Sequence, residues 1–169
     1  MTLPDCAKPR NKRLSFYKFV VDNLSGDVPV IVQGCSDLFG GWVTPKELDS
    51  VPDWIELLVD SFSGGLNSKM RVRFVVNVRA SRDDDSFVMR RMDEILEMVM
   101  SLLNLAGGDV IPIYDFSEPA DPKRIGEEQG LGFIPRHTPE KDGFMDDKDG
   151  IQRYELHYEL WLWQEGVAP

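Results

Sequence analysis

Residues 70–108 carry the strongest pattern in the chain and read MRVRFVVNVRASRDDDSFVMRRMDEILEMVMSLLNLAGG. Apolar and polar residues alternate over 70–80, and Val75 is the one apolar residue among the polar positions. This period of two predicts a strand with one buried face. The apolar positions are Met70, Val72, Phe74, Val76, Val78 and Ala80, and the polar positions are Arg71, Arg73, Asn77 and Arg79.

A helical period replaces the alternation after a polar corner at residues 81–85. Ser86 or one of the aspartates before it can cap this predicted helix, and Gly107 with Gly108 supplies a stop. The apolar stripe comprises Val88, Met92, Ile95, Val99 and Leu102, widened by Met89, Leu96 and Leu103. Because such a strand and such a helix bury their apolar faces together, we expect the other elements to be arranged around this pair.

The remaining pattern predicts a second helix and further strands. A helix is expected over 12–24 with Asn11 as its cap, and strands are expected over 28–33, 54–62, 110–116, 131–134 and 151–163. The turn at 63–68 predicts an antiparallel hairpin with the strand at 70–80. Pro29 places the start of its strand at a sheet edge or just outside the paired residues, and Pro112 predicts a strand that lies at an edge or is interrupted. The order predicts an α+β fold: a mixed, mostly antiparallel sheet with two helices packed on one face.

Composition bounds the organisation and the partners. The 169 residues predict one domain covering 1–169, with a flexible arm at 1–10, a long loop at 117–150 and a tail at 164–169. The net charge of −10 argues against a general field that grips nucleic acid. No secretory signal or membrane span is expected, and Cys6 and Cys35 are expected to be reduced thiols in a cytoplasmic protein.

The arginines at 71, 73 and 79 form the one candidate basic strip, and two interpretations of it remain open. The predicted hairpin places Glu56 and Asp60 on the same outer face, so that Arg71 and Arg73 could form ion pairs within one subunit. Alternatively, the arginines meet an acidic face of a neighbouring subunit. We favour the first interpretation.

The residues that could carry chemistry do not form a recognisable set. His137 and His157 have no partner at metal-ligand spacing, and Cys35 lacks the strand–turn–helix context of a nucleophile. No phosphate-binding glycine motif occurs, and residues 146–150 fit a calcium loop poorly, because Met145 and Leu156 would occupy ligand positions. We therefore expect no enzyme activity, no catalytic residue, no metal and no cofactor.

Two tryptophans break the pattern of the last predicted strand. Trp161 and Trp163 share the polar side with Glu155, His157 and Glu159. Another segment of the same chain could cover them, or they could mark a subunit contact, since large aromatic side chains are enriched at interfaces. The candidate interface residues are therefore Arg71, Arg73, Arg79, Trp161 and Trp163.

The order of elements resembles that of the tail terminator (tail completion, neck) proteins of tailed bacteriophages. The stretches that carry the resemblance are LSFYKFV at 14–20, VPVIV at 28–32, MRVRFVVNVRA at 70–80 with the helix at 87–105, and RYELHYEL at 153–160. The resemblance covers most of residues 12–163. They share a pattern of elements with the family more than fixed residues.

The resemblance implies a structural virion protein, assembled in the host cytoplasm and located in the neck of the tail. It implies a ring of six copies that caps the tail tube, ends its polymerisation and docks onto head-completion (stopper) proteins. DNA would pass through the channel without specific binding, and an acidic wall suits that passage. Alternatives are another neck or tail component, such as a head-completion or tube protein, and a soluble binding domain without catalytic activity.

Overall fold

The computed structural model describes residues 2, 5–24, 26–32, 51–63, 67–79, 85–103, 110–135, 143–145 and 151–163. A short 3₁₀ helix at Asp5–Ala7 precedes the first α-helix. The helices are α1 (Pro9–Leu24) and α2 (Asp85–Leu103). The strands are β1 (Val30–Val32), β2 (Asp53–Ser63), β3 (Asn67–Arg79), β4 (Val110–Asp115), β5 (Lys123–Pro135), β6 (Gly143–Met145) and β7 (Ile151–Trp163).

The described strands form one sheet in the order β1-β2-β3-β7-β5-β4, and β6 also pairs with β7. The β1–β2 pair is parallel, and every other pair is antiparallel. The predicted α+β class with a mixed, mostly antiparallel sheet and two helices on one face is confirmed. The expected hairpin is also confirmed, because β2 and β3 pair along their whole lengths. β1 and β4 lie at the two edges, as their prolines indicated.

The buried face of the central strand β3 forms the middle of the core, where residues of β2, β7 and α2 surround it. Its positions 70, 72, 74, 76 and 78 are all buried, as the alternation predicted. The register with β7 sets Phe74 opposite Leu156, and the register with β2 sets it opposite Leu57. Phe74 also meets the Tyr158 ring edge-on, at 6.1 Å between centroids. The α2 side chains Met92, Ile95 and Val99 are fully buried in the same core.

Helix α1 covers the free edge of β4 with two polar side chains. The Ser15 hydroxyl accepts a hydrogen bond from the Tyr114 backbone N–H at 2.8 Å, and the Asn11 carbonyl oxygen accepts one from the Phe116 N–H at 3.1 Å. Pro112 has no N–H to leave unpaired. These contacts block an edge that could otherwise pair with another chain.

Replacing Asn11 with alanine should lower the free energy of unfolding by about 2 kcal/mol, because it leaves the Phe116 N–H buried without an acceptor. The substitution also removes the hydrogen bond that the Asn11 amide donates to the Asp5 carbonyl at 2.9 Å. Urea unfolding followed by circular dichroism measures this change. Replacing Asn23, which is exposed on the same helix, with alanine should change the free energy of unfolding by no more than about 0.5 kcal/mol. Equal effects at the two positions would contradict the docking.

Two expectations about the N-terminus are wrong. Residues 5–10 do not form a loose arm, because the 3₁₀ helix packs Ala7 into the interior and α1 begins at Pro9. Proline suits a first helical turn, since its missing N–H would have no intrahelical partner there. Asn11 is therefore not a cap: it lies inside the helix and is buried against β4. Residues 1, 3 and 4 lie outside the described part.

The expected long loop at 117–150 is also wrong, because it contains β5 and β6. β5 is thirteen residues long, and it absorbs the short strand expected at 131–134. The sequence of β5 lacks a clear strand pattern, because glycines and consecutive glutamates interrupt the alternation of apolar and polar residues. A register shift also separates Gly130 from Phe133. The strand exists because β4 and β7 supply hydrogen bonds on both sides. Residues 136–142, 146–150 and the tail at 164–169 lie outside the described ranges.

Candidate interface on the outer face of the sheet

The polar sides of β3 and β7 lie together on the face of the sheet that points away from the helices. In the antiparallel register, Arg71 lies opposite Glu159 and Arg73 lies opposite His157. We call six side chains on this face the outer ladder, and they are Lys69, Arg71, Arg73, Glu155, His157 and Glu159. The positions that the sequence predicts for the polar face of each strand are therefore the positions that share the outer face in the sheet.

Ion pairs and hydrogen bonds connect the outer ladder across the two strands. The carboxylate of Glu159 is nearly buried. It forms an ion pair with the Lys69 Nζ at 3.0 Å, and its other oxygen lies 3.7 Å from the Arg71 Nε. Glu155 lies 3.4 Å from Arg73 through one oxygen and 3.1 Å from the His157 Nε2 through the other. Each carboxylate thus sits between two nitrogen-bearing side chains, and the ladder holds three cations against two carboxylates.

The expected pairing of the arginines with Glu56 is wrong, whereas the pairing with Asp60 stays a prediction, because the Asp60 side chain lies outside the described part of the chain. Glu56 lies opposite Val75, and Arg73 lies opposite Leu58 on that side. The register between β2 and β3 shifts between Val59 and Ser61, which takes Asp60 out of the ladder of paired residues. Among the described residues, Arg71 pairs with Glu159 and Arg73 pairs with Glu155, both on β7 about 80 residues later in the chain, so ion pairs within one subunit do form.

Arg79 is separated from the other two arginines. It lies at the far end of β3, where its Nε donates to the Val51 carbonyl at 3.2 Å. Its guanidinium carbon lies 5.3 Å from the centroid of the buried Trp54 ring, which is within cation–π range. Arg79 therefore fastens the end of the β2–β3 pair, and the structure does not bring it into the outer ladder.

Trp161 and Trp163 are placed by their backbone. Trp161 lies opposite Lys69, and Trp163 lies opposite both Asn67 of β3 and Gln129 of β5. Both residues thus continue the side of β7 that carries the outer ladder, at the end of the sheet where the β2–β3 hairpin turns. Their side chains lie outside the described part of the chain, so the choice between a covered pair and a subunit contact stays open.

A polar pair of one buried and one half-buried side chain, Asn77 and Arg153, continues the outer face beyond the ladder. Asn77 has no exposed surface; its amide donates to the Val75 carbonyl at 3.1 Å, and its oxygen accepts the Arg153 Nε at 3.0 Å. Sequence reasoning missed this pair, as it missed Lys69. The shared signal is polar parity on two long strands, which identifies the face of each strand but not the register that joins them.

On the helix side of the sheet, Arg91 forms an extensive set of polar contacts. Its Nε lies 2.8 Å from Asp53, and a second guanidinium nitrogen lies 3.4 Å from the other oxygen of that carboxylate. It also reaches Glu94 at 3.2 Å and the Asp27 carbonyl at 3.4 Å. The hydrogen bond to Asp53 raises the pKa of Arg91. Arg91 thereby joins α2 to the start of β2.

Replacing Arg71 with glutamine should change the free energy of unfolding by less than about 1 kcal/mol, because exposed ion pairs contribute little to stability. The Arg71 side chain is 45% exposed, and its distance to Glu159 is long. Chemical denaturation measures the difference, and Arg124→Gln, in an exposed pair on β5, serves as the control. A loss of more than about 2 kcal/mol at Arg71 alone would show that it is a structural residue.

The outer ladder combines carboxylates, cations and an imidazole on two neighbouring strands, an arrangement that forms ion pairs and hydrogen bonds. No group of three or more histidine, cysteine or acidic side chains within the described residues is arranged to hold a metal ion. Neither described helix is both long and apolar enough to cross a membrane. No protein-family model matches this chain, and no curated protein sequence matches it.

Proposed function

We propose that this chain is a tail terminator protein of a tailed bacteriophage: a ring-forming virion protein that caps the tail tube and joins it to the head-completion proteins. The observation that carries the proposal is the arrangement of the fold, in which both helices cover one face of a mixed sheet and the other face carries the outer ladder. The element order α1-β1-β2-β3-α2, followed by the strands that end in β7, matches the order on which the resemblance rests.

A sheet with helices on one face and the outer ladder on the other supports assembly by face-to-face contact. Thirteen-residue strands such as β3 extend about 43 Å, whereas the nineteen residues of α2 extend about 28 Å. Part of each long strand therefore lies beyond the length of the helix. The hairpin end of the sheet, where β2 turns into β3 and β7 ends, is our candidate for the part that lines the channel.

The overall charge supports passage of DNA rather than capture. A protein that grips DNA through its phosphates uses clusters of lysine and arginine that release bound counterions. This chain carries a net charge of −10, and the cations of the outer ladder already share carboxylates within the subunit. We therefore expect DNA to slide past the assembled ring, with tail tube and head-completion proteins as the specific partners.

Removal of the gene from the phage that encodes this chain tests the proposal. Electron microscopy of the resulting lysate should show tail tubes of uncontrolled length and full heads that lack tails. Normal-length tails joined to heads would contradict the proposal. Heads that lose their DNA beside tails of normal length would indicate a head-completion protein instead, and an absence of tubes would indicate a tube protein.

A further inference from the structure

A groove lies between the end of α1 and one side of α2. Its volume is about 570 Å³, and on α2 it extends from residue 91 to residue 102, a length of about 16 Å. Its apolar side chains are Leu24, which is buried, and Met98 and Leu102, which are half-buried. We call it the helix groove, and the residues that define it are Leu24, Asp27, Glu94, Glu97, Met98 and Leu102.

Carboxylates outnumber cations around the helix groove. Asp27, Glu94 and Glu97 are exposed there, whereas Arg91 is the one cation among its described lining residues. Arg91 is already engaged, because it lies 2.8 Å from Asp53 and 3.2 Å from Glu94. Within the described part of the chain, Asp27 and Glu97 form no ion pair. The helix groove therefore combines an apolar floor with more negative charge than Arg91 balances.

Such a groove suits a segment that carries both apolar and cationic side chains. Apolar side chains can pack on Met98 and Leu102, and methionine adapts to partners of different shapes. The stems of lysine and arginine can cover apolar atoms while their charged ends meet carboxylates. The walls are side chains of two helices and offer no strand edge. An extended segment would thus find no backbone partner, whereas a helix satisfies its own backbone groups.

We propose that the helix groove binds a basic amphipathic helix of another protein. Charge complementarity selects this occupant. The stretches of this chain outside the described ranges supply no such segment, because none of them carries a net positive formal charge. A second copy is not selected either, since its net charge is −10 and the cations of its outer ladder share carboxylates within the subunit.

Titration with a synthetic peptide tests the inference. The probe has about eighteen residues, long enough to form a helix, with leucine at every third or fourth position and lysine elsewhere. A scrambled peptide of the same composition keeps the charge and loses the apolar face. Nuclear magnetic resonance of the full chain should show saturable one-to-one binding of the amphipathic peptide, with the largest amide shifts at the helix groove. The scrambled peptide should bind about tenfold more weakly.

Charge reversal separates the helix groove from the rest of the acidic surface. Glu97→Lys and Asp27→Lys should each weaken peptide binding by about tenfold, because each removes a carboxylate and adds a repelling charge. Glu118→Lys makes the same change at an exposed position outside the groove, and it should change the dissociation constant by no more than about twofold. Circular dichroism checks that every variant is folded. Where a reversal unfolds the chain, Glu97→Gln and Glu118→Gln replace the pair, with a smaller loss expected at Glu97 alone.

Several results would overturn the inference. They are an absence of binding, equal binding of the scrambled peptide, amide shifts away from the helix groove, and equal weakening by Glu118→Lys. Self-association that Glu97→Lys abolishes, measured by sedimentation without peptide, would identify a second copy as the occupant and overturn it as well.

The inference goes beyond the proposed function and does not rest on ring formation. Ring assembly on tail tubes without peptide binding would overturn the helix groove contact alone. Peptide binding by a chain that never caps a tube would overturn the terminator function and leave the contact standing.

Discussion

Replacing Phe74 with alanine should lower the free energy of unfolding by about 4 kcal/mol, the largest effect that we expect from a single substitution. Phe74 has no exposed surface and lies at the centre of β3, between Leu57 on one side and Leu156 on the other. The truncation loses the favourable free energy of burying the phenyl ring away from water, and it leaves a cavity. It also breaks the edge-to-face contact with Tyr158. Equilibrium unfolding in urea measures the loss.

A conservative substitution at the same position isolates the effect of the cavity. Phe74→Leu retains most of the buried volume and should cost no more than about 1.5 kcal/mol. Similar values for the alanine and leucine variants would mean that the site collapses around the smaller side chain. A loss below about 1 kcal/mol for alanine would contradict the position of β3 at the centre of the core.

Replacing Arg91 with methionine should lower the free energy of unfolding by about 3 kcal/mol, because the Asp53 carboxylate then stays buried without its cation. Asp53 is 7% exposed, and its carboxylate accepts hydrogen bonds from two guanidinium nitrogens of Arg91. Methionine keeps much of the apolar stem and removes the charge. Chemical denaturation measures the loss.

Two further substitutions test which partner of Arg91 matters. Glu94→Gln removes the exposed partner and should change stability by less than about 1 kcal/mol. Adding Asp53→Asn to the Arg91→Met variant should recover part of the loss, because the uncompensated charge is gone. Full additivity of the two substitutions would contradict the ion pair.

The elements predicted best are those whose side chains alternate or repeat without interruption. β3, β7 and α2 bury one face each. Their apolar residues therefore recur at every second position in the strands and at every third to fourth position in the helix. Helix α1 was predicted less well at its start, because Asn11 is a good cap in isolation. Its interactions with β4 are tertiary and override that local preference.

Most of β5 could not be predicted beyond the short strand expected at 131–134, because its local sequence carries little of the reason for its formation. Gly126, Gly130 and Gly132 weaken any strand pattern, and they are tolerated where neighbouring strands fix the backbone. The hydrogen-bonding partners of β5 come from β4 before it and from β7 after it. Long-range pairing of this kind leaves no periodic signal in a single sequence.

The candidate interface was predicted in part. The polar side of β3 identified Arg71 and Arg73, and the polar side of β7 identified Glu155 and Glu159, but no local rule joins residues so distant in sequence. The hairpin suggested nearer carboxylates on β2, but the register sets Glu56 opposite Val75 rather than opposite an arginine. Strand parity therefore predicts which face a residue occupies, whereas its partner depends on the register of the assembled sheet.

The most direct test of ring formation is a mass measurement of the wild-type chain, alone and with tail tubes of the phage that encodes it. Native mass spectrometry combined with negative-stain electron microscopy reports both the copy number and the position of the protein on the tube. The proposed function predicts a closed ring of six copies at one end of each tube. A protein that remains monomeric, with tube ends bare and tube growth continuing in its presence, would contradict it.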